Sequence, residues 1–114
     1  MSDHIDPSVE EYVLGEGTIK VSGSTIPKRA GRCAFFYLKN GKNPIDFFCI
    51  GANANQQAMK SMGVFLHIVR ETYGDELSVS FRPLRYKTMT NDMQTQEKKF
   101  KDCVVWRTVI IVKS

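Results

Sequence analysis

The chain has no apolar run near the ~18–20 residues that a membrane helix needs, so a membrane-spanning reading is set aside. It has little cysteine. Cys33, Cys49 and Cys103 are an odd number and far apart. No two have zinc-finger spacing, and His4 and His67 do not complete a metal set with them. All three are read as small buried hydrophobes in a reducing compartment. No basic, apolar and small-residue succession opens the chain as a secretory signal does. The expectation is a cytoplasmic protein, of a cell or of a virus-infected cell, and not a secreted one. Catalytic signatures are also lacking. His67 sits among apolar residues with no recognisable nucleophile motif nearby. Gly15, Gly17 and Gly23 do not have the spacing or context of a phosphate-binding fingerprint. The sequence therefore predicts no enzyme, no cofactor, no metal and no small-molecule substrate.

One sign of charge is missing from each of two stretches. Residues 1–17 hold Asp3, Asp6, Glu10, Glu11 and Glu16 and no Lys or Arg, a net −5. Residues 20–42 hold Lys20, Lys28, Arg29, Arg32, Lys39 and Lys42 and no acid. The total of +4 over 114 residues thus hides a +9 segment, residues 18–114, behind an acidic leader. That length is one domain's worth, and 42% hydrophobic with 25% charged residues is ordinary for a folded soluble domain. The division reads as an acidic flexible or loosely docked arm over 1–17 and a basic domain over 18–114. Such a domain points to a polyanion partner.

The local patterns give six elements. Ile19-Lys20-Val21 alternates as a strand. Pro27 suits the first turn of a helix that carries Cys33, Phe36 and Tyr37 on one face and stops at Asn40-Gly41. Ile45 to Ile50 is a buried strand by length and flanks. Asn53 can cap the next helix, with Gln56 reaching back to it. Ala54, Ala58, Met62, Phe65 and Val69 form its buried stripe. Gly63 reads as a close-packing position, and Gly74 ends the helix. Leu77, Val79 and Phe81 alternate with Ser78, Ser80 and Arg82 as a half-wet strand. Residues 87–101 are polar, and Val104 to Val112 is the last strand.

Right-handed crossovers make the first three strands parallel, and the fourth returns as an antiparallel hairpin. The loops after the first and second strands and the hairpin tip then emerge at one sheet edge, where open parallel sheets bind ligands. Both helices begin there and turn their positive ends toward it. Lys28, Arg29 and Arg32 lie on the first turns of helix one. Lys20 lies within the first strand. Asn53, Asn55 and Gln56 line the second loop, with Lys60 a turn later. The hairpin supplies Arg82, Arg85, Lys87, Lys98, Lys99 and Lys101. Amides, helix N–H groups and mobile cations suit phosphates and base edges. Tyr86, Phe100 and Trp106 have two readings: stacking on unpaired bases, or supporting the hairpin across its strands.

Ile19-Lys20-Val21-Ser22, Pro27 at the helix start, and Ile50-Gly51-Ala52-Asn53-Ala54-Asn55-Gln56-Gln57-Ala58-Met59-Lys60 resemble the bacterial stage V sporulation protein S family. Ile-Gly-Ala, then Ala, then Gln-Ala and Lys is the specific part. The resemblance covers roughly residues 18–113 and is strongest over 50–60. That family belongs to the Alba superfamily of small nucleic-acid-binding proteins. The strand–helix order also resembles the C-terminal domain of translation initiation factor three. The resemblance implies an α+β two-layer fold, β-α-β-α-β-β, with a four-stranded mixed sheet, two helices on one face, and the fourth strand between the second and third. It further implies a homodimer, and contacts from Lys28 and Arg29, from Asn53 and Asn55, and from an arm over residues 85–101. The chain departs from the pattern in its acidic leader, its longer and more basic hairpin, and a second loop without the arginine many Alba proteins carry.

The function expected is sequence-tolerant nucleic-acid binding, with RNA or another single strand favoured over duplex DNA. Two alternatives stay open. One is duplex-DNA binding of the architectural Alba kind. The other is a dimeric protein-interaction or regulatory module, since Phe47, Phe48, Cys49 and Ile50 offer apolar groups to both sheet faces. The leader is expected to compete with nucleic acid for the basic edge.

Overall fold

Strand alternation and the helical stripe resolve into six elements in a computed structural model that describes residues 8–91 and 94–113. They are β1 (Thr18–Val21), α1 (Pro27–Lys39), β2 (Ile45–Cys49), α2 (Ala52–Tyr73), β3 (Leu77–Asn91) and β4 (Lys98–Val112). The sheet order is β1-β2-β4-β3. β1 pairs parallel with β2, and β4 runs antiparallel to both β2 and β3. The fold is the expected α+β two-layer arrangement, with the fourth strand between the second and third. No helix among the described residues is long and apolar enough to cross a membrane.

The main core lies between the sheet and the helices. Ala54, Ala58, Met62, Phe65 and Val69 form the buried stripe of α2, as their spacing requires. They meet Ile19 and Val21 of β1, Ile45, Phe47 and Cys49 of β2, and Ile110 of β4. α1 differs from the expectation: it buries Ala30, Gly31 and Ala34, while Phe36 is 62% exposed. The reason is the closeness of the two helices. A Cβ on Gly31 would lie 2.5 Å from Val64 Cγ1 and 3.0 Å from Phe65 N, so small residues occupy the contact. Gly63 is not the packing position, because nothing lies within 4 Å of where its Cβ would be. His67 is likewise out in solvent, beside Glu71 one turn later.

β2 is buried along its whole length, Ile45 to Cys49. Asp46 and Phe48 therefore need cover on the face the helices do not reach. The leader supplies it. Tyr12 is 9% exposed and packs with Phe48, Cys103, Val105 and Tyr86. Its ring stacks on Phe48 at 5.2 Å between centroids. Its hydroxyl donates to Asp46 Oδ2 at 2.7 Å and lies 2.7 Å from Thr18 Oγ1. Tyr12 N donates to Lys87 O, and Lys87 N donates to Glu10 O. Residues 10–12 are thus a strap fastened to β3 and plugged into the sheet. Residues 1–7, with Asp3, His4 and Asp6, lie outside the described residues.

Candidate nucleic-acid interface

β3 and β4 pair without a break from Leu77↔Val112 to Asn91↔Lys98. β2 stops at Cys49, opposite Val104. The ribbon therefore runs six residue pairs past the sheet body, about 20 Å at the strand rise. Much of the polar segment 87–101 is strand. Cross-strand pairs make that possible without a core: Lys87 faces Asp102, and Met89 faces Phe100. Lys87 Nζ sits 4.8 Å from the Phe100 ring centroid. Arg85 Nη2 donates to both Asp102 oxygens at 3.1 Å, and its Nε donates to Oδ1 at 3.3 Å. Asp92 lies outside the described residues.

Strand alternation divides the arm's side chains between two faces. Arg85, Lys87, Lys98 and Phe100 share the face that continues the helix-covered side of the sheet. Tyr86, Lys99 and Lys101 share the other. Tyr86 and Phe100 consequently do not pair with each other. Tyr86 meets the strap, with its ring 5.2 Å from that of Tyr12, and Phe100 meets Lys87.

The start of α2 borders the root of this arm, where Gly51, Ala52 and Asn55 meet the ribbon. Lys28, Arg29 and Arg32 are exposed on α1, whose first turn contains no acid. α2 also begins without an acid in its first turn. Gly51 is its N-cap, at φ 88°, so neither Asn53 nor any other side chain caps it. The polypeptide turns into the helix two residues before Asn53, which leaves Asn53, Gln56 and Lys60 exposed. Asn55 is already engaged. Its Oδ1 accepts from Trp106 Nε1 at 2.6 Å and from Cys49 Sγ at 3.7 Å. That contact explains Trp106: the indole supports the joint between α2 and β4. Gln57, quoted in the family pattern but not among the expected contact residues, donates to Thr25 O at 3.1 Å and ties the first loop to α2. Its neighbour Gln56 carried the sequence signal, and only helix phase separates them.

Lys20 and Arg82 are exposed on the helix-free side of the sheet. Arg82 lies opposite Arg107, whose guanidinium grips Asp46 at 2.9 and 3.0 Å. The carboxylate of Asp46 holds the Arg107 guanidinium charged more firmly than usual. The chain matches no protein-family model and no curated protein. The sixteen residues singled out from the sequence thus separate into a helix-side group, an opposite-side group and one structural amide, Asn55. Lys28, Arg29, Arg32, Asn53, Gln56, Lys60, Arg85, Lys87, Lys98 and Phe100 make the first group. Lys20, Arg82, Tyr86, Lys99 and Lys101 make the second.

Burial pushes the Cys49 and Cys103 thiols up to about 11, so both stay protonated near neutrality. No cluster of three or more His, Cys, Asp or Glu that could hold a metal occurs among the described residues.

Proposed function

We propose that this protein is a non-enzymatic, largely sequence-tolerant nucleic-acid binder that favours RNA or another single strand. The observation that carries the reading is the basic arm, six residue pairs long, rising beside the start of α2, which like α1 has no acid in its first turn. Lys28 and Arg29 neutralise phosphates, the arm lies along the strand, and exposed amides contact sugar or base edges. Cations on both faces of the arm suit a flexible strand that can pass on either side. The sheet order matches the one implied by the Alba-superfamily resemblance, and membership in that superfamily is part of the proposal. If about five phosphates are neutralised, log affinity falls with log salt at a slope of about −3.5 on a single strand. Titrating labelled single-stranded RNA and duplex DNA between about 50 and 300 mM salt measures that slope. Absence of binding at low salt, or binding indifferent to salt, sinks the reading. Replacing Lys28 and Arg29 together weakens all sequences alike; an altered sequence preference instead argues for base readout.

A second reading, self-association, has its own observation. Ile111 and Val112, at the end of β4, are 59% and 74% exposed, and Val13 of the strap is 82% exposed. Sedimentation at tens of micromolar separates a dimer from a monomer. The competing role of the leader is tested best by Glu10→Gln with Glu11→Gln. This change leaves Tyr12 in place, and it tightens nucleic-acid binding at low salt if the acids compete.

A further inference from the structure

The sheet body and the arm leave an opening where they part. β2 ends at Cys49, α2 starts at Ala52, and the β3–β4 ribbon continues past both. Between them lies a slot of about 480 Å3. Ala52 and Asn55 of α2 form one wall, and Pro83, Arg85, Asp102 and Val104 of the ribbon form the other. Helix cover ends at this point: Pro83 and Ala52 are exposed and Val104 is half-buried. The Trp106–Asn55 hydrogen bond fixes the distance between the walls.

The chemistry of the slot is specific in kind. Its apolar surfaces suit the face of a flat ring. The Arg85 guanidinium, held by three donor contacts to Asp102, presents a second flat surface, and guanidinium planes stack on unpaired bases. Asp102 Oδ2 accepts a single contact from Arg85, so it retains a lone pair for an N–H donor. Every RNA base carries such a donor on its Watson–Crick edge, and a duplex occupies that edge. Lys87 and Lys98 lie farther out on the same face of the arm, in line for the phosphates that follow.

We infer that this slot receives one unpaired nucleobase of a bound single strand. The inference rests on the nucleic-acid reading above and deepens it, because it gives the single-strand preference a location. It is compatible with sequence tolerance, since the donor is common to all four bases.

The test compares three labelled probes of about ten nucleotides at about 50 mM salt: oligoadenylate, an abasic strand of equal charge, and a duplex. Wild-type protein binds oligoadenylate about fivefold or more tightly than the abasic strand. Ala52→Trp fills the slot from an exposed position, abolishes that advantage, and leaves abasic and duplex binding unchanged. Asp102→Ala releases Arg85 for phosphate, so abasic binding tightens while the oligoadenylate advantage shrinks. Equal wild-type affinity for the abasic and base-bearing strands overturns the inference. So does an Ala52→Trp variant that keeps the advantage or weakens all three probes together. Failure of every probe to bind the wild-type protein overturns the nucleic-acid reading itself, and the slot with it.

Discussion

The two faces of the sheet are closed by different means. On one, two helices bury a continuous apolar layer from Ile19 through Phe47 and Phe65 to Ile110. On the other, one aromatic side chain from the leader closes a small cluster of Phe48, Cys103 and Val105. The first closure is spread over many residues of regular structure. The second is concentrated in Tyr12 and in the ion pair of Asp46 with Arg107 beneath it. A spread closure tolerates small losses. A concentrated one fails at a single residue, and when it fails it uncovers sheet surface without unfolding the helices.

The largest effect belongs to the helix side. Phe65 is fully buried, and Phe65→Ala costs about 3–5 kcal/mol, read as a drop in denaturation midpoint. Tyr12→Ala costs less, about 2–3 kcal/mol, because residues 8–17 can release as a unit. Its distinguishing readout is exposure: Tyr86 and Cys103 become reachable, so thiol labelling at Cys103 quickens while helical circular dichroism holds. If Tyr12→Ala costs as much as Phe65→Ala and removes the helical signal, the two closures are not separate.

Within the helix layer, Gly31→Ala costs about 1–3 kcal/mol by forcing α1 off Val64. Gly63→Ala, where a Cβ meets nothing, adds about 0.5–1 kcal/mol of stability. Equal effects at the two glycines contradict the close helix contact. Tyr12→Phe removes a hydroxyl bonded to a carboxylate and costs about 1–2 kcal/mol. It also has a pH signature. Burial foremost, then Asp46, pushes the Tyr12 hydroxyl from 10.0 up to about 12, outweighing the opposite effect of Thr18. The folded state keeps that proton longer than the unfolded chain does. The contribution is whole below about pH 10 and is lost as pH rises through about 12. Tyr12→Phe flattens this part of the stability profile. The decline that starts near pH 9 remains, set by Cys49 and Cys103 with thiols at about 11.

The legibility of this molecule follows the range of the interactions. The α2 stripe was readable because its burial depends on helical phase, which the spacing of Ala54 to Val69 states directly. Phe36 and Gly63 were misplaced because hydrophobicity and smallness carry no distance. Gly31 is the packing residue only because Val64, on another helix, approaches it. The basic arm was readable as a charged hairpin. The division of its cations between two faces depends on the pairing register, which is set where Arg85 meets Val104 and Lys87 meets Asp102. Asn55 looked like a ligand amide because nothing in its neighbourhood announces Trp106, 51 residues away.

The sequence by itself determined the order of elements, the short buried β2 and the separation of acid from base, since each is written in local pattern and composition. It also determined which loops share a sheet edge, because right-handed crossovers leave their placement little freedom. Only the tertiary structure decided that Tyr12 is a plug. A tyrosine in an acidic leader has no local reason to be buried, and its place depends on Phe48 and Asp46 of β2 converging with Tyr86 of β3. The slot beside the arm has the same origin. Ala52, Pro83, Asp102 and Val104 are unremarkable one by one, and they form a cavity only where a helix start and a departing ribbon fail to fill the space between them.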